Sequence, residues 1–147
     1  MPPVLRAERS NGRVVAVETA TSTARPGRYE ARWFVLATGG VSAGGLDLSS
    51  TGELREVVLD LPLGCLPPHA APRFAEGYLD DHPIARAGVA VDEQLRPVTA
   101  AGEPLVENLL VAGATLAGAA PWREASGNGI SLATGYAAAQ TILKEAG

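Results

Sequence analysis

The chain carries one cysteine in 147 residues, Cys65, which excludes an internal disulfide and any cysteine-rich metal or iron–sulfur site. It has two histidines, His69 and His82, so the inventory of metal ligands is thin. Basic residues number 12 against 16 acidic ones, and a net charge of −4 argues against a nucleic-acid-binding surface. The basic residues are almost all arginine, with Lys144 the one lysine, and they are scattered along the chain without a patch. No apolar run approaches the ~20 residues that a membrane helix needs. Residues 1–12 hold Arg6, Glu8 and Arg9 without an apolar block, which does not read as a secretory signal.

What is present is a 46% hydrophobic, 19% charged composition, enough to bury a core. Nine of the 17 glycines gather in two clusters, Gly39, Gly40, Gly44 and Gly45, then Gly113, Gly118, Gly127, Gly129 and Gly135. Glycines between apolar runs mark places where backbone approaches another backbone or a ligand closely.

The first segment reads as β structure. Arg13–Glu18 and Tyr29–Ala37 are expected strands, joined through the turn signal Pro26-Gly27 as a hairpin. The second ends in the apolar run Phe34-Val-Leu-Ala37 and stops at Thr38-Gly39-Gly40. From Val41 to Ala87 the pattern is irregular. Leu54–Leu61 reads as strand or short helix, and Pro62, Pro67, Pro68, Pro72 and Pro83 exclude a long helix. Gly88–Asp92 and Leu109–Ala112 are further expected strands. Asn128–Glu145 reads as a helix with an apolar stripe at Leu132, Tyr136, Ala139 and Leu143, and Lys144 in its last turn.

The sequence from Leu109 to the helix thus runs strand, Gly113, loop, then Gly127-Asn128-Gly129 at a helix start. The first amides of a helix lack intrahelical partners and carry partial positive charge. Two readings stand. The glycines make a tight turn while Asn128 or Ser126 caps the helix, or a ligand lies on those amides. The strand-linked Gly-x-Gly-x-x-Gly fingerprint of a pyrophosphate-binding βαβ unit is absent; Gly127-Asn-Gly129-Ile-Ser-Leu132 lacks the third glycine and follows a loop. His69 and His82 read as polar loop residues, and Cys65 as a small buried hydrophobe. For Trp122, Arg123 and Glu124, a place beside a bound ring or phosphate and a role in sealing the loop are both open.

Three segments, in order, carry a resemblance. Phe34-Val-Leu-Ala-Thr-Gly-Gly40, Glu107-Asn-Leu-Leu-Val-Ala-Gly113 and Gly127-Asn-Gly-Ile-Ser131 resemble parts of the two-domain flavoproteins related to fumarate reductase. With Gly88-Val-Ala-Val-Asp-Glu-Gln-Leu-Arg-Pro97 they are similar to the C-terminal region of one branch, the B-type subunits of anaerobic glycerol-3-phosphate dehydrogenase. The resemblance implies an α/β fold, the C-terminal part of a Rossmann-like FAD-binding domain lacking its N-terminal GxGxxG βαβ unit. It divides the chain into residues 1–40 (strands of the flavin-binding domain), 41–87 (an excursion, remnant of a cap or substrate lobe) and 88–147 (the C-terminal flavin-binding part). Thr38, Gly39, Gly40, Gly113, Ala114, Gly127, Asn128, Gly129, Ile130 and Ser131 are the implied flavin-binding residues, with FAD or FMN as cofactor and exposed apolar surface where the missing unit packs.

The same resemblance implies electron transfer in the oxidation of sn-glycerol 3-phosphate to dihydroxyacetone phosphate with a quinone acceptor. Its implied partners are an A-type subunit, a membrane-associated iron–sulfur subunit and the missing Rossmann segment, on the same or a separate chain. The implied location is cytoplasmic, at the inner face of the cell membrane through those partners. Ala114 stands where many flavoproteins have an acidic residue for the ribityl chain, and no His-Arg pair of the fumarate reductase type is visible. A non-catalytic fragment that completes a split flavoprotein, or another fumarate-reductase-like dehydrogenase, are the alternatives.

Overall fold

The computed structural model describes residues 4–22, 25–68 and 71–146. It opens with an antiparallel meander of β1 (Val4–Ser10), β2 (Arg13–Thr19) and β3 (Gly27–Glu30). β1 and β2 join through Asn11 (φ 49°) and Gly12 (φ 74°), two left-handed residues in a row. That is the type I′ hairpin for which Asn-Gly is the strongest short-range signal. β2 turns Val14 and Ala16 inward, each 1% exposed, while β1 keeps Arg6, Glu8 and Arg9 exposed on a protected edge.

The expected strand Tyr29–Ala37 is two strands in two different sheets. β3 ends at Glu30, and β4 (Phe34–Leu36) pairs in parallel with β9 (Leu109–Val111) in the register Phe34–Leu109, Val35–Leu110, Leu36–Val111. The division has a physical cause at Asn108, 2% exposed. Its Nδ2 donates to the carbonyls of Val14 (2.8 Å) and Arg32 (2.9 Å), and its Oδ1 accepts the Val14 N–H at 2.8 Å. The chain bends around that side chain and leaves the meander.

β9 is the most buried strand, with Leu110 and Val111 at 0% exposure. Continuous burial is what a parallel strand covered on both faces requires. Around it Val14, Leu36, Leu61, Val89, Val106, Leu109 and Leu116 form the core. Two short antiparallel pairs fill the irregular middle. They are β5 (Leu46–Leu48) with β6 (Leu54–Glu56), and β7 (Leu63–Gly64) with β8 (Gly88–Val89). A Cβ on Gly88 would lie 2.4 Å from the Leu116 carbonyl carbon, so only glycine lets β8 cross the loop after β9. Cys65, expected to be buried, is exposed. It follows β7 in a left-handed conformation (φ 54°), with the exposed Leu66 beside it, before the chain turns back in at the buried Pro67.

The long helix, α1 (Gly127–Ala146), matches the expected span closely, but its orientation does not follow the apolar stripe. Ala138 is the one buried residue among those described on it, flanked on the inner face by the half-buried Ile130, Thr134 and Ile142. Leu132 (77% exposed), Tyr136 (67%) and Leu143 (66%) face away from the rest of the chain. Among the described residues, no helix is long and apolar enough to cross a membrane.

Candidate functional site

β4 and β9 run side by side, so their C-terminal ends fall together. Beyond β4 the chain turns at Gly39 (φ 83°), whose N–H donates to Thr115 Oγ1 at 2.9 Å, while Thr115 Oγ1 donates back to the Gly39 carbonyl at 3.3 Å. Thr115, 0% exposed, thereby fastens the loop after β4 to the loop after β9. The glycines here answer a spatial demand. A Cβ on Gly45 would fall 2.1 Å from the Gly39 carbonyl oxygen, and one on Gly40 would sit 3.0 Å from that of Ala114.

The start of α1 joins the same place. Thr134 Oγ1 accepts the Gly113 N–H at 2.8 Å and donates to the Ile130 carbonyl at 2.6 Å, which fixes the second turn of the helix against the end of β9. Ser131 Oγ lies 3.5 Å from where a Cβ on Gly113 would stand. Thr38, Gly39, Gly40, Gly113, Ala114 and Ser131 are therefore gathered at one spot, with Gly127, Asn128, Gly129 and Ile130 forming the exposed end of the helix that reaches it. The amides of Gly39 and Gly113 are occupied by Thr115 and Thr134. What those two glycines offer a ligand is clearance, not a donor.

Helix bonding starts with the Ile130 N–H on the Ser126 carbonyl at 2.9 Å. Among the described residues no side chain is hydrogen-bonded to the N–H of Gly127, Asn128 or Gly129, so of the two readings the one in which Asn128 or Ser126 caps the helix does not hold. The open amides are those of Gly127, Asn128 and Gly129, all exposed. At Gly129 an added Cβ would make only an ordinary 3.5 Å contact with Ser126, and at Gly127 a 3.8 Å contact with Pro121. Packing does not require glycine at either position, in contrast to Gly40 and Gly45. Beside this spot, Thr38 Oγ1 is buried without a hydrogen-bond partner, an unusual state for a hydroxyl.

His82 is a staple for its loop. Its Nδ1 accepts the Ala75 N–H at 3.1 Å, which places its proton on Nε2, 3.1 Å from the Tyr78 carbonyl that it donates to. His69 lies outside the described residues. Arg123 pairs with Asp81, and Glu124 Oε1 accepts the Ala120 N–H at 3.0 Å, so both seal the loop before α1. Trp122 stays 65% exposed. Sequence reasoning missed Thr115, Thr134 and Asn108. The signal for the first two is a threonine adjoining each glycine-marked loop, where only a small hydroxyl both fits and satisfies a backbone amide.

A family model, FAD binding domain, matches residues 2–130. The chain belongs to this FAD-binding family. Its relatives include the probable anaerobic glycerol-3-phosphate dehydrogenase B-type subunit of Halobacterium salinarum, 37% identical over 139 residues, 92% of this chain and 31% of that protein. The corresponding B-type subunit of the anaerobic glycerol-3-phosphate dehydrogenase of Yersinia pestis is 32% identical over 142 residues, 97% of this chain and 32% of that one. That of Vibrio cholerae is 31% identical over 135 residues, 91% and 30% respectively. The chain spans about a third of the length of these curated relatives. No solved structure matches it.

Membership selects FAD between the two flavins that the sequence left open. The mixture of short strands with one helix is that of an α/β flavoprotein fragment. The site fits such a group in three respects: an orphaned hydroxyl at Thr38, uncapped amides at Gly127–Gly129, and glycines there that the chain's own packing does not demand.

Proposed function

We propose that this chain is the C-terminal portion of a Rossmann-like FAD-binding domain, and that it works in a flavin-dependent oxidoreductase of the quinone-linked glycerol-3-phosphate dehydrogenase type. Residues 1–40 and 88–147 are its flavin-binding parts, and 41–87 the remnant of a cap or substrate lobe. The observation that carries this reading is the convergence of the β4 end, the β9 end and the uncapped start of α1 on one spot. The curated relatives above, all named for the same subunit, support the dehydrogenase as the parent enzyme.

FAD, when bound, supplies the two-electron redox chemistry. The residues of the chain position it and set its electrostatics. The Gly127, Asn128 and Gly129 amides, at the positive end of a 20-residue helix, would help hold the flavin and would stabilise negative charge placed on it. They lie at the front of the Asn128–Ser131 stretch that the sequence singled out, because from Ile130 onward the amides are spent on the helix. Thr38 Oγ1 is placed to give or accept one further hydrogen bond. Gly40 and Ala114 keep the strand ends free of bulk.

A strand–GxGxxG–helix unit is missing from this arrangement, and two features provide for it. β4 pairs on one edge only, and a two-stranded parallel sheet is not a self-sufficient element. The outer face of α1 is apolar and uncovered. We assign the A-type and iron–sulfur subunits as further partners because the relatives are named as one subunit of a larger enzyme.

The test is a visible spectrum of the purified chain, alone and produced together with a polypeptide carrying the missing unit. The chain alone is expected to be colourless and the pair yellow. Gly129→Val is expected to abolish flavin uptake by the pair while leaving helix content and melting temperature unchanged, since a Cβ meets nothing closer than 3.5 Å there. A colourless wild-type pair would falsify the flavin reading and leave a non-catalytic interaction module.

A further inference from the structure

The loop of residues 73–82 is braced by its own bonds, yet it ends in apolar side chains that nothing covers. The Ile84 N–H donates to the Arg73 carbonyl at 3.1 Å and closes the loop at its base. His82 links Ala75 to Tyr78 across it, and Phe74 stands edge-on to His82, ring centroids 5.8 Å apart. At the tip the Gly77 N–H donates to Asp80 Oδ2 and the Asp80 N–H to the Gly77 carbonyl, both at 3.0 Å. Asp81 ties the loop down by pairing with Arg86 at 3.1 Å and with Arg123 in the loop before α1. Those bonds hold Tyr78 and Leu79 out at 85% and 72% exposure, beside the exposed Phe74 and Trp122. Trp122 borders one hollow with Phe74 and another with Leu79, so the patch is continuous. A fixed apolar surface of this kind marks a place where another molecule docks. Tyrosine and tryptophan carry much of the binding energy at protein interfaces, and a loop already braced loses little freedom on docking.

The chemistry of this patch differs from that of the outer face of α1. Residues 127–143 hold no charged side chain, as suits a face made for a folding core. Residues 74–82 hold Glu76, Asp80 and Asp81 and no lysine or arginine. An apolar centre inside a charged rim is the make-up of an interface between proteins that fold separately. Arg86 and Arg123 neutralise Asp81, while Glu76 and Asp80 have no cationic partner among the described residues. A notch of about 270 Å³ opens between Leu79 and Trp122, with Asp80 at its side. It suits a long basic side chain, with the stem against Leu79 and the charge shared by the indole face and Asp80. An anionic lipid surface is repelled by this rim, and a second copy of the chain would set the same acids against one another.

We propose that this patch docks a separately folded protein through an apolar segment edged with lysine or arginine. It is a different surface from those left to the missing unit, and its occupation requires no flavin. The test is calorimetric titration of the 147-residue chain with an acetylated, amidated dodecapeptide of alternating leucine and arginine. Saturable binding is expected. It should weaken by about three- to tenfold in Glu76→Lys, at an exposed and unpaired carboxylate. The double variant Tyr78→Ser, Leu79→Ser leaves the bracing bonds in place and is expected to lose about tenfold or more, with an unchanged melting temperature. Leu132→Gln with Leu143→Gln on α1 is expected to bind as the wild type does. The same peptide with glutamate in place of arginine is expected not to bind.

No saturable binding, equal binding of the glutamate peptide, or loss in the α1 variant rather than the loop variant would each overturn the proposal. So would loop-dependent binding to vesicles of phosphatidylcholine and phosphatidylglycerol, which gives the patch to a membrane. A dimer in sedimentation that the loop variant dissociates would overturn it too, in favour of a second copy. If the chain joined to the missing unit no longer binds the peptide, the patch belongs to that unit and the proposal falls. A pair that takes up flavin and still binds the peptide upholds both readings. Peptide binding by a pair that never takes up flavin removes the flavoprotein reading and leaves the docking surface as assigned.

Discussion

Asn108 shows how much of this molecule depends on single side chains. Its amide satisfies both backbone groups of Val14 and the carbonyl of Arg32, joining meander, bend and buried strand in three bonds of 2.8–2.9 Å. Asn108→Ala would leave the buried Val14 N–H without a partner, for a loss of about 2–4 kcal/mol in urea unfolding. Asn108→Asp places a carboxyl oxygen against two carbonyls, so the acid must keep its proton to donate. Its pKa in the folded protein is then raised. The penalty is expected to be smallest below the unfolded value of about 4 and to grow as pH rises toward the folded one, read from urea midpoints at a series of pH values. Asn108 stood in a segment quoted for family resemblance, yet its task was not legible there. A polar residue before an apolar strand looks like any strand boundary until its partners, 94 and 76 positions away, are known. The glycines were more legible, because the crowding at Gly45 is a demand that no other residue meets, and Gly40 leaves little more room.

At the scale of elements, periodicity found α1, but its apolar stripe is not the face that packs against the rest of the chain. The stripe of Leu132, Tyr136 and Leu143 marks a surface made for burial, as such stripes do, but no layer among the described residues covers it. Replacing Leu132 and Leu143 by Gln is therefore expected to leave the stability of the isolated chain within about 0.5 kcal/mol of the original in urea unfolding. The same pair should weaken its capture of the missing unit in a co-purification assay. The β1–β2 hairpin went unseen for the opposite reason: β1 is charged and edge-exposed, and its signal is the Asn11-Gly12 turn rather than an apolar run. On that hairpin Arg6 grips Glu18 with bonds of 2.8 and 2.9 Å. The guanidinium holds the Glu18 carboxyl below the ordinary carboxylate value. The pair's contribution is present above that ordinary value and lost as pH falls through the lowered one. Carboxyl NMR titration should show a Glu18 midpoint below the ordinary glutamate value in low salt, moving up in Arg6→Ala.

For the whole molecule, the two halves of the site lie far apart in sequence, and this separation decided what composition and motif reading were able to deliver. Each strand end was recognisable alone. That they form one place follows from β4 pairing with β9, a parallel register that no local pattern specifies. The Gly39–Thr115 bond spans 76 positions of chain, whereas the meander closes through a two-residue turn. A bond of that span costs loop entropy before it returns any enthalpy, so it is expected to form late. In stopped-flow refolding the meander should acquire its structure first, and Thr115→Ala should accelerate unfolding while leaving the refolding rate almost unchanged. On the ribosome the consequence is sharper. Until residue 115 has emerged, Thr38–Gly40 has nothing to close against, so the first half of the cradle waits on a residue made 76 positions after it.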